Sequence, residues 1–147
     1  MDRYIASLAR ACLEMGGLET FYTDNIPSDF AVPSLYFPPE EIDPSGSALN
    51  SYRTDYTIYA KVFAATRQDA MDIAESIVEE MMRLRRLLPV YNPDGTESGE
   101  LIKVDPPAAR VIDEGVAQIN LAYHIVRKYK EQQVTMVQNI GINKYYD

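Results

Sequence analysis

Residues 52–65 alternate strictly and then give way, without a spacer, to a run with a three-to-four-residue period. Tyr52, Thr54, Tyr56, Ile58, Ala60 and Val62 fall on one side of an extended chain, and Arg53, Asp55, Thr57, Tyr59, Lys61 and Phe63 on the other. Such alternation marks a strand of an antiparallel sheet with one wet face. In the next segment Ala70, Ile73, Ala74, Ile77, Met81, Leu84 and Leu88 form one apolar stripe, which predicts a helix from Gln68 to Leu88. Thr66 is the expected N-cap and Asp69 lies in the first turn, where a carboxylate suits the helix dipole. Arg83, Arg85 and Arg86 are expected in the last turn, and Pro89 as the stop. A long strand feeding a long helix needs partners for both, and this pair limits the fold most.

The flanking segments supply those partners. Ile5, Leu8, Ala9, Cys12 and Leu13 have helical spacing, and Gly16-Gly17 offers a C-cap. Short strands are expected at 18–23 and at Leu35-Tyr36-Phe37, the latter bracketed by Pro33 and Pro38, which favours a sheet edge. Residues 40–51 contain Pro44, Gly46 and three serines and read as an exposed loop. Residues 92–99 read as a turn, 101–104 and 110–113 as short strands, and 116–129 as a second long alternating strand. The expected class is α+β: an antiparallel sheet of about four or five strands, with one long helix and an N-terminal helix packed on one face. Residues 1–130 form the domain. Residues 131–147, rich in Gln and Asn and closing on Tyr145-Tyr146, read as a C-terminal arm.

Length and charge narrow the function. The chain has 147 residues, one domain's worth, with 22 acids against 14 bases and a net charge of −8. That balance argues against broad, sequence-independent nucleic-acid binding. No apolar run approaches the roughly 20 residues of a membrane helix, and residues 1–4 lack a signal-peptide layout. The expectation is a protein that stays in the cytoplasm. Eleven tyrosines and no tryptophan fit either strands or interfaces.

Little points to catalysis. The one histidine, His124, sits in a strand without a serine or cysteine motif beside it. Cys12 reads as a small apolar residue on its helix. Glu40 with Glu41, Glu79 with Glu80, and Asp113 with Glu114 are more simply solvated faces and turns than metal or acid–base pairs. No phosphate-binding glycine loop or calcium loop is present. No cofactor or metal is expected, and no enzymatic activity. Arg83, Arg85 and Arg86 are the densest basic spot, serving either the helix dipole or a contact with an acidic neighbour or passing DNA.

One resemblance draws these elements together. An N-terminal helix is followed by Gly17-Leu18-Glu19-Thr20-Phe21-Tyr22 and Asn25-Ile26-Pro27, then Pro33-Ser34-Leu35-Tyr36-Phe37, the strand 52–65 and the helix 68–88. Val111-Ile112-Asp113-Glu114-Gly115-Val116 and Ala117-Gln118-Ile119-Asn120-Leu121-Ala122-Tyr123 complete the series. In this pattern the chain resembles the tail terminator family of long-tailed bacteriophages, prophage members included, over residues 1–130. The arm departs from it. The resemblance implies a subunit of a hexameric ring that caps the last ring of tail-tube protein and stops tube growth. The ring also joins tail to head, in contact with a neck or head-completion protein. DNA passes through its lumen unbound, and an acidic wall suits that passage. The implied location is the host cytoplasm during assembly, then the tail–neck region of the virion.

A closed ring of identical copies uses head-to-tail contacts, and sheet edges and loops are natural places for them. The expected contact residues are Leu35, Tyr36, Phe37, Arg83, Arg85, Arg86, Tyr145 and Tyr146, with the segments 40–51 and 92–99. Tyr59 and Phe63, apolar on the nominally polar strand face, are either interface anchors or part of a second layer within the subunit. Rival readings are a neck protein at the portal side, a small-molecule-binding α+β module, and a hydrolase built on His124.

Overall fold

The computed structural model describes residues 2–130. The chain runs α1 (Arg3–Gly16), β1 (Phe21–Tyr22), β2 (Ser34–Tyr36), β3 (Glu41–Ala48), β4 (Ser51–Phe63), α2 (Arg67–Arg83), β5 (Leu87–Tyr91), β6 (Glu97–Lys103), β7 (Ala108–Asp113) and β8 (Val116–Lys128). The class is α+β. Strands β1-β2-β4-β8-β7 form one sheet, with β3 also paired to β4, and β5-β6 form a separate hairpin. The sheet is mixed because β1 and β2 run parallel; its other pairs are antiparallel.

The two long strands are its spine. β4 and β8 pair along their whole length, from Ser51↔Lys128 to Phe63↔Val116. Their alternation sorts as the sequence dictates. Ile58, Ala60 and Val62 of β4, and Ala117, Ile119, Leu121 and Tyr123 of β8, are buried on the inner face. Both helices pack there: Ile5, Leu8 and Cys12 of α1, and Ala70, Ala74, Ile77 and Met81 of α2, join the same core. Burying one Leu- or Ile-sized side chain contributes about 1.5–3 kcal/mol, so this shared core is what holds sheet and helices together. Asp2 caps α1 by accepting from the Tyr4 N–H at 2.7 Å, and Gly17, at φ 63°, closes it in the left-handed conformation. Thr66 caps α2 through the Asp69 N–H.

Three expectations are corrected. Residues 40–51 are not a loop but largely strand β3, paired from Glu41↔Thr57 to Ala48↔Ser51. The free edge of β4 demands a backbone partner there, and an edge strand tolerates Pro44 and Gly46. Second, α2 ends at Arg83, not Leu88. Arg85 and Arg86 both take left-handed backbone, φ 58° and 62°, and the Arg86 N–H donates to Met81 O at 2.8 Å. The chain thereby reverses into β5, where Leu88 pairs with Ile102. Arg83 alone occupies the last helical turn. Third, Leu35-Tyr36-Phe37 is not an outer edge, since β2 lies between β1 and β4.

Candidate assembly surface

The sheet's inner face is covered by helices; its outer face carries Arg53, Asp55, Thr57, Tyr59 and Lys61 of β4 beside Gln118, Asn120 and Ala122 of β8, all half-buried. Arg53 pairs with Asp55 at 2.7 Å and Gln118 donates to Asn120 at 2.9 Å. This is a polar, laterally bonded surface. Tyr59 sits at its centre opposite Asn120. Phe63 at its end has a partner within the subunit: its ring lies 4.8 Å from that of Phe30.

The spine outruns the helices. Along the inner face of β4, buried Ile58 is followed by half-buried Tyr56, buried Thr54 and half-buried Tyr52, and along β8 buried Tyr123 is followed by half-buried Ile125 and exposed Arg127. Beyond that point β3, the start of β4 and the end of β8 make a three-stranded ribbon. Tyrosines stiffen it: Tyr56 stacks on Tyr123 at 4.9 Å, and Tyr52 meets Tyr129 at 5.5 Å. Arg127 donates to the Tyr56 hydroxyl at 3.4 Å, and the Tyr129 N–H reaches Asn50 O at 3.0 Å. The Leu49-Asn50 turn forms the tip, and Leu49 there is fully exposed. Arg53, Arg127, Lys128 and Lys130 lie around it, and the tip segments 45–53 and 126–130 contain no acid.

On the other side of the helix layer, α1, α2 and β5 enclose a groove of about 650 Å³. Its floor is Ala11, Met15, Leu84, Leu88, Pro89 and Tyr91, and its rim Glu14, Glu79, Glu80 and Arg83. Glu14 reaches Arg10 at 3.2 Å and Glu80 reaches Arg83 at 3.6 Å; exposed pairs of this kind are weak and leave the rim open to other partners. Arg10 also lies over the Tyr91 ring, 3.7 Å from its centre.

The expected contact residues scatter across this frame. Leu35 and Phe37 are buried in the core, Phe37 against Phe21 at 5.9 Å; their side chains serve the fold and offer no outward contact. Tyr36 faces outward, near the Lys61 ammonium. Arg83 stands at the groove rim and Arg85 is exposed. Arg86 turns inward and donates to Val104 O at 3.2 Å. Tyr145 and Tyr146 lie outside the described residues, as does the whole of 131–147.

His124 is exposed opposite Asp55, whose carboxylate already receives Arg53. Cys12 is fully buried, and burial pushes its thiol up to about 12, so it is no nucleophile in the fold. Among the described residues no group of three or more His, Cys, Asp or Glu is placed to hold a metal. No described helix is long and apolar enough to cross a membrane. The tip has little signature in the sequence. Its one visible signal was Leu49, a lone large apolar residue in a Ser-, Gly- and Asn-rich stretch.

Comparison with known proteins gives the following. No family model matches the chain. It is similar to the phage-like element PBSX protein XkdJ of Bacillus subtilis (strain 168), 24% identical over 122 residues, 83% of this chain and 84% of that one. It is also similar to the uncharacterized protein YqbJ of the same strain, 32% identical over 93 residues, 63% of this chain and 64% of that one. Among solved structures, a chain of the virion of a native gene transfer agent particle aligns with a TM-score of 0.46 at 15% identity, covering 84% of this chain and 93% of that one.

Proposed function

We propose that this chain is a structural protein of a phage-like particle, and that it forms a hexameric ring that caps the tail tube, stops its growth and offers the surface that joins tail to head. The observation that carries the reading is the likeness, over most of both chains, to a protein of a phage-like element. The geometry supports assembly in particular. The sheet has strands β3 and β7 at opposite borders, each paired on one side among the described residues, and unpaired strand borders are natural joining surfaces. The mechanism is physical: identical copies close head to tail, and the net charge of −8 disfavours DNA sticking to the lumen.

The test is to polymerise the tail-tube protein of the same element with and without this protein and to measure tube lengths by electron microscopy. Tubes that become shorter and carry a cap at one end support the reading. Unchanged tubes, with binding instead to portal or adaptor rings, would make it a neck protein.

A further inference from the structure

The ribbon tip and the groove are opposite in charge and alike in apolar content. In a chain of net charge −8, the tip gathers four cations, Arg53, Arg127, Lys128 and Lys130; Arg53 is paired with Asp55 at 2.7 Å, so the charge the tip offers a partner rests on Arg127, Lys128 and Lys130. Antiparallel pairing brings them together, since Ser51 stands opposite Lys128 and Arg53 opposite Val126. Leu49 protrudes at their centre, entirely exposed, where an isolated monomer gains nothing from a leucine. The groove answers both features: on its rim Glu14, Glu79 and Glu80 outnumber Arg83, and Met15 and Tyr91 are among its floor. Tip and groove share no residue, so one copy can engage a second through its tip and a third through its groove. That is the head-to-tail contact from which rings are built.

We infer that the cationic tip of the β3-β4-β8 ribbon of one copy seats in the acidic groove between α1 and α2 of the next, with Leu49 entering the groove. The contact deepens the ring reading and rests on it for closure into a ring; the contact itself is between two copies in solution. Complementary charge steers the approach and fixes the register, so association weakens as salt rises. The apolar anchor supplies the part that salt does not screen. Losing a buried leucine at such a contact weakens association by about tenfold to a hundredfold.

The experiment mixes isotope-labelled and unlabelled full-length protein, treats the mixture with a zero-length carbodiimide, and maps crosslinks by mass spectrometry. Sedimentation velocity on the same samples reads association. The expected result is mixed-isotope crosslinks from Lys128 or Lys130 to Glu79 or Glu80. Leu49→Asp, fully exposed and so harmless to folding, is expected to weaken association at least tenfold. Glu80→Lys is expected to weaken it too, and mixing that variant with Lys128→Glu to restore part of it. A wild type that stays monomeric, or a Leu49→Asp variant that associates unchanged, overturns the contact. The two proposals fail separately. Leu49→Asp protein that caps tubes as wild type does leaves the ring reading and removes this contact. Wild type that associates through this contact yet leaves tubes unchanged does the reverse.

Discussion

Gly115 closes the β7–β8 turn and also ties that turn to the end of β4. Its carbonyl accepts from the Ala64 N–H at 2.9 Å, at the junction where β4 hands over to α2. Its φ is 72°, and a Cβ built there would lie 2.6 Å from Ala64 O. Alanine therefore meets two penalties. Left-handed backbone costs about 1–2 kcal/mol for a residue with a Cβ. Relieving the clash with a backbone oxygen must shift the turn and weaken a hydrogen bond that contributes about 1 kcal/mol. The sum for Gly115→Ala is about 2–3 kcal/mol, which lowers Tm by roughly 5–10 °C for a domain of this size. Gly95 is the control. Its φ is 91°, but nothing lies within 4 Å of its Cβ position, so Gly95→Ala carries the backbone penalty alone. Urea unfolding of both variants, with unchanged m-values, isolates the clash as the difference. If Gly115→Ala costs no more than Gly95→Ala, the junction is not a rigid clamp.

Three further predictions concern single groups. Arg85→Gly relieves a left-handed backbone at an exposed site and is expected to stabilise the fold by about 0.5–1 kcal/mol; destabilisation in a urea titration would mean that the Arg85 side chain has a partner. Ser34 is fully buried and its Oγ has no hydrogen-bond partner among the described residues, so Ser34→Ala is expected to be neutral or stabilising by up to about 1 kcal/mol, and a loss of Tm would refute that. Cys12 is expected to resist thiol reagents until the protein unfolds. Its folded pKa, about 12, lies above its ordinary 9.0; the thiol's contribution to stability is therefore complete below pH 9 and is lost as pH rises from there toward 12. A Cys12→Ala variant with the same alkaline stability profile as wild type would contradict this.

The parts of the fold legible in the sequence are those where one side of an element is buried and the other wet. The alternation of β4 and β8 and the stripe of α2 up to Met81 each record such a boundary. β3 left no record because it is a border strand whose residues 41–46 and 48 are all exposed; its course is dictated by the backbone of β4. The end of α2 is hidden in the sequence because Leu84 and Leu88 keep helical spacing by coincidence. Leu88 is buried from a strand, and the turn is set by backbone bonds to Met81 and Met82. The prolines around Leu35 suggested a border, yet Leu35 and Phe37 fill the core because β1 and β4 enclose them. The ribbon tip was hidden for a different reason: Arg53 and Lys128 are far apart in the chain and meet only through strand pairing, which a linear reading does not supply.

The most direct test of the central claim is the mass of the purified full-length protein by light scattering on a sizing column, alone and after incubation with its tail-tube protein. The account predicts six copies in one particle, free or bound at tube ends. A monomer or dimer that stays so in the presence of tubes, and leaves no mass on them, would contradict it.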